Sequence, residues 1–157
     1  MNWRGGTLIK PFLFAVIAAF SMMHSCENGV ETKAKSKKVD DFSLAVKVVE
    51  SSEGRTLSAD IMYTGEEAGS MIIHNNGLFD FTVKTENGDV IDTKKAGEDE
   101  VVTRLRKDEV LTFQSGFTFL DDLEPGLYEF TAEADFHKGA KAPEQTVELT
   151  RMVLISE

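Results

Sequence analysis

From Phe42 to the C-terminus the side chains alternate between apolar and polar with a period of two, the signature of half-buried β-strands. Phe42, Leu44, Val46 and Val48 share one strand face, and Leu57, Ala59, Ile61 and Tyr63 share another. Ser70–His74 reads as a short buried strand closed by a turn at Asn75-Asn76-Gly77. Phe79, Phe81 and Val83 alternate with Asp80, Thr82 and Lys84 before Asn87-Gly88, a hairpin signal whose residues favour positive φ. Val90 and Ile91 begin the return strand. Leu111, Phe113, Phe117 and Phe119 place a further strand over Val110–Phe119, and Tyr128 to Phe136 alternate in the same way. Thr146–Leu154 forms the last strand, with a parity slip near Arg151 that predicts a bulge. No helix-period segment follows residue 25. Short alternating strands divided by turn signals predict an all-β fold, a sandwich or a barrel.

Leu123-Glu124-Pro125-Gly126-Leu127-Tyr128 selects the sandwich. A Pro125-Gly126 turn with Tyr128 two residues past the glycine is similar to the tyrosine corner of immunoglobulin-like β-sandwiches, whose hydroxyl bonds back to an upstream backbone group.

The N-terminus reads as an export leader. Arg4 and Lys10 precede an apolar run, Pro11–Met23, of about 13 residues. That length suits a signal-peptide core and falls short of a bilayer span. His24-Ser25 lead into Cys26, the chain's one cysteine, and the pattern resembles a bacterial lipoprotein signal. The expected mature protein then begins at Cys26, acylated and held at a membrane of the cell envelope. The alternative is simple secretion after cleavage behind Ala19-Phe20-Ser21, which leaves Cys26 as a free thiol. The expected organisation is a leader at 1–25, a flexible tether at 26–41 and one domain at 42–157. The tether stretch Glu27–Asp41 has three apolar side chains, Val30, Ala34 and Val39, too few to bury a face. Its lysines 33, 35, 37 and 38 could touch anionic headgroups, but the favoured reading is a solvated spacer that lifts the domain off the membrane.

Composition narrows the function. The net charge of −10 becomes −12 when the leader departs with its two basic residues. Such a chain repels phosphate backbones, which argues against nucleic-acid binding, and its total charge argues against an electrostatic grip on anionic lipids. The one tryptophan, Trp3, leaves with the leader, which lowers the case for a sugar-binding platform. The domain's histidines, His74 and His137, stand in no metal-site or nucleophile–base spacing. Neither Glu98-Asp99-Glu100 nor the Asp121-Asp122 and Glu124 group has the alternation of a calcium loop. No catalytic residue, metal ligand or cofactor is assigned.

Leu57–Phe136 resembles the intracellular proteinase inhibitor (BsuPI-like) family. The likeness rests on Phe79-Asp80-Phe81, Val83, the Asn87-Gly88 turn before Val90, the strand from Val110 and the Pro125-Gly126-Leu127-Tyr128 turn. Family members carry a tryptophan and a serine after the glycine turn, where this chain has Ile91-Asp92-Thr93-Lys94-Lys95. The resemblance implies an immunoglobulin-like sandwich and serine proteinase inhibition. The partner is therefore expected to be a protein, either a protease or an envelope component. The candidate contact loop is Lys94–Val102, with Lys94, Lys95, Glu98, Asp99 and Glu100, and Lys95 is the basic side chain offered to a specificity pocket. The rival reading is an envelope accessory or scaffold module without inhibitory activity.

Overall fold

The computed structural model describes the backbone of Val30–Glu31 and residues 34–156. The leader and Cys26 lie outside the described residues. Among the described residues ten strands form two antiparallel sheets: β1 (Val30–Glu31), β2 (Lys35–Val39), β3 (Phe42–Ser51), β4 (Gly54–Tyr63), β5 (Gly69–Thr85), β6 (Val90–Lys94), β7 (Glu100–Arg106), β8 (Val110–Gln114), β9 (Gly126–His137) and β10 (Glu144–Ile155). The first sheet runs β3-β4-β8, with β1 and β2 both on the outer edge of β3. The second runs β10-β9-β5, and β6 and β7 share the outer edge of β5. Hairpin strands β3-β4 joined to β8 in one layer, facing β5-β9-β10 in the other, is the connectivity of an immunoglobulin-like sandwich.

The alternation has a direct physical consequence. Phe42, Leu44, Val46 and Val48 are buried, as are Leu57, Ala59, Ile61 and Tyr63 on the neighbouring strand. They meet Phe79, Phe81, Val83, Phe130, Ala132, Ala134 and Phe136 from the opposite sheet. Phe42 joins the two layers, its ring 5.6 Å from Tyr63 and edge-on to Phe136 at 5.2 Å. Phe113 of β8 packs edge-on against Phe79 of β5 at 5.6 Å. At the start of β9 the Tyr128 hydroxyl donates to the Glu124 carbonyl at 2.9 Å, the back-bond expected of a tyrosine corner.

Five local expectations change. The segment expected to be a tether supplies a strand: Lys35–Val39 pairs with Phe42–Val46 through a two-residue turn in which Asp40 takes a positive φ. Backbone pairing along a free edge needs no apolar face, so the sparse hydrophobic pattern gave no warning. Asn75-Asn76-Gly77 is no turn between strands but a bulge inside β5. Five residue steps along β5, from His74 to Phe79, face two along β9, from Phe136 to Ala134. Gly77 (φ 110°) and Leu78 (φ 55°) both adopt positive φ there, and the unfavourable leucine conformation is offset by full burial of its side chain. In the β5–β6 turn only Gly88 takes a positive φ, with Asn87 in the ordinary region. The strand expected over Val110–Phe119 ends at Gln114, and Phe117 and Phe119 pack on the core from a loop. The β9–β10 register is unbroken from Glu144 to Ile155, so Arg151 marks no bulge. Arg151 instead takes a half-buried inward position opposite Phe130, where burial pulls its pKa below the ordinary value.

Phe42→Ala should cost about 3–5 kcal/mol, the range for emptying a buried aromatic site. Tyr128→Phe should cost about 1 kcal/mol, one net hydrogen bond. Urea denaturation reads both as lower midpoints at unchanged slope. An unmoved midpoint in the tyrosine variant would contradict the corner's contribution.

Candidate functional site

The loop chosen from sequence is shorter and more constrained than its residues imply. Lys94 closes β6 and Glu100–Val102 belong to β7, which leaves Lys95–Asp99 as the connection. That connection lies against the β5 bulge. The Asn76 N–H donates to the Asp99 carbonyl at 2.8 Å, and the Gly97 N–H donates to the Asn76 carbonyl at 2.5 Å. Asp80 holds the loop's first half: one carboxylate oxygen accepts the Ala96 N–H at 2.7 Å, and the other pairs with the Lys95 ammonium at 2.9 Å. The hydrogen bond from Lys95 to Asp80, then the Asp80 charge and those of Glu133 and Asp135, raise the Lys95 pKa above its ordinary value. Lys94, Glu98, Asp99 and Glu100 are exposed. Sequence reasoning chose the loop and missed Asp80, its anchor. Alternation alone put Asp80 on the outer face of β5, but its partner 15 residues on depends on how the chain returns.

A cleft of about 340 Å³ opens beside this loop, between the β6 edge of one sheet and the end of β8 in the other. It is lined by Asn76, Gly77, the almost wholly buried Phe79 and Phe81, Lys94, Lys95, Gln114 and Ser115, and the Lys95 ammonium itself is held at Asp80 on the outer face of β5. The cleft exists because β6 pairs only with Phe81–Lys84 and β8 ends at Gln114, so neither sheet covers the gap. Ser115 is buried and its hydroxyl accepts the Phe117 N–H at 3.3 Å. The outer edge of β6 is partly closed, because the Thr93 N–H is taken by the Asp92 carboxylate at 2.8 Å.

The two acidic groups stay apart. Asp121 accepts the Arg55 N–H at 2.6 Å beside the β3–β4 turn, whereas Glu98-Asp99-Glu100 lies at the β5 bulge. His74 and His137 do approach one another, lining a small cavity with Glu100, Asp135 and Glu144. His74 is a core residue: its Nδ1–H donates to the Asn75 carbonyl at 2.6 Å, which leaves Nε2 to accept from the Thr103 hydroxyl at 2.8 Å. The His137 Nδ1–H donates to the Ala142 carbonyl at 3.2 Å. Among the described residues no group of three or more histidine, cysteine or acidic side chains is arranged to hold a metal ion.

Comparison of the chain with protein-family models, with characterised proteins and with solved structures finds no match.

Removing the charge that holds the loop should be visible at its partner. In Asp80→Asn the Lys95 pKa falls toward 10.5, read by NMR titration of its side-chain carbon signals. Because the folded-state value is raised in the wild type, the pair's contribution to stability is present below pH 10.5. It is lost as the pH climbs through the folded value. An identical Lys95 titration in the variant would contradict the pairing.

Proposed function

We propose that this chain is an exported lipoprotein, anchored through Cys26, whose β-sandwich works by binding another protein and not by catalysis. The observation that carries the binding reading is the cleft over Phe79 and Phe81. It is an opening between two sheets, lined by the buried edges of Phe79 and Phe81 and by lysine, asparagine and glutamine residues. A protein partner places an apolar side chain against these phenylalanine edges and a carboxylate against the exposed Lys94. Strand addition along β6 is disfavoured, since Asp92 already occupies the Thr93 amide.

Serine proteinase inhibition is the specific form suggested by the resemblance of Leu57–Phe136 to the BsuPI-like family. In that form Lys95 enters the protease's specificity pocket, and its ammonium must exchange Asp80 for the protease carboxylate. The accessory reading needs no such exchange and uses the cleft as it stands.

Titration of the mature protein against a panel of serine proteases separates the two. Stoichiometric inhibition that disappears in Lys95→Ala establishes the inhibitor form. No inhibition, together with a discrete photo-crosslink from Gln114 that is absent from Lys141, establishes the accessory form. Absence of both results overturns the binding reading. The anchor has its own test: Cys26→Ala is expected to leave the membrane fraction, and a fully processed variant that stays there would contradict it.

A further inference from the structure

The pairing of Lys35–Val39 with β3 changes what the anchor does. Only residues 27–29 separate Cys26 from β1, so the chain between Cys26 and Val30 reaches at most about 14 Å. A domain held by Cys26 therefore rests against the surface that holds it, instead of standing off on a tether.

Two charged regions then compete for that surface. Val30 pairs with Glu50 at the β3–β4 turn end of the sandwich, where Glu53, Asp121, Asp122 and Glu124 are exposed or half-buried. An anionic surface repels that end. Along the flank, β2 presents three exposed lysines, Lys35 and Lys37 on the face it shares with Val46 and Leu44 and Lys38 on the opposite face, and no strand beyond β2 is paired with it. Among the described residues these three are in no ion pair, nor are Lys94, Arg104, Lys107 and Lys141, whereas Lys47, Arg55, Lys84, Lys95, Arg106 and Lys138 have acidic partners; β2 is the strand that brings three such cations together. Charges more than about 10 Å apart are screened at physiological salt. The local sign of an edge therefore decides its contact with headgroups, whatever the total charge of the chain.

We infer that the β2 edge is a membrane-contact surface for anionic phospholipid headgroups, which lays the sandwich on its side. The cleft and the Lys95–Asp99 loop, on the opposite β6–β8 flank, then face away from the bilayer and stay open to a partner. This inference rests on the Cys26 anchor proposed above. An edge of lysines also deters strand pairing, and that role predicts no response to lipid charge.

The test is amine labelling of the protein isolated from membranes and placed on vesicles, read residue by residue by mass spectrometry. The same spectra show whether Cys26 is acylated, so failure of the anchor reading is seen separately. If Cys26 is unmodified, coupling this sole cysteine to a maleimide lipid still places the chain at the surface and tests the edge. With phosphatidylglycerol present, labelling of Lys35, Lys37 and Lys38 should slow about fivefold each, matching the usual attraction per surface lysine. Lys94 should be unchanged, and added salt should remove the protection. Equal labelling of β2 on anionic and zwitterionic vesicles would overturn the inference. So would protection of Lys94 to the same degree.

Discussion

The bulge at Asn75–Leu78 is the constraint on which the cleft-bearing end of this sandwich depends. A strand of seventeen residues that pairs with β9 along most of its length would otherwise offer one uninterrupted outer edge. Breaking that edge in the middle gives β7 one half and β6 the other, and their connection must cross at the break. The freed backbone groups of Asn76 meet the loop's own groups there, so neither is left without a partner. Leu78 turns into the core at the same point, and its burial offsets the backbone conformation that the bulge imposes. The cleft over Phe79 and Phe81 is the space left beside this crossing.

The layers and their inward faces were legible in the alternation because burial is what period two encodes, and Phe42 to Val48, Leu57 to Tyr63 and Tyr128 to Phe136 all follow it. What escaped was set by pairing between distant segments. Lys35–Val39 carries no apolar stripe and becomes a strand only because β3 offers an edge. Arg151 breaks the hydrophobic pattern without breaking the register, since an arginine stem tolerates an inward site near a sheet edge. Asn75-Asn76-Gly77 has turn composition, and a bulge uses the same residues for the same reason. At the candidate site the loop residues were named correctly by position, but Asp80, which holds two of the loop's groups, appeared only as an outward residue of an aromatic strand.

Charge is distributed with a purpose that the total conceals. The outer face of β5 and β9 carries Asp80, Glu129 and Glu133 against Lys84 and Lys95, while β2 carries three lysines with no acidic partner among the described residues on the far flank. Four of the edge strands also have a feature that discourages strand addition. β2 has lysines, β6 has Asp92 on the Thr93 amide, β8 has only five residues, and β10 has Arg151 pointing inward. Under the proposed binding function, edges blunted in this way would leave recognition to side chains in the cleft. That makes the geometry of the loop and bulge the part of the molecule on which a binding function rests.

Native-state hydrogen exchange at the amides of Asn76, Ala96 and Gly97 tests that geometry most directly. If the bulge and loop hold one another as described, these amides exchange as slowly as the paired amides of β5, although Gly97 is exposed and Ala96 only half-buried. Exchange at the rate of an unprotected loop would contradict the account, leaving a sandwich without an organised cleft.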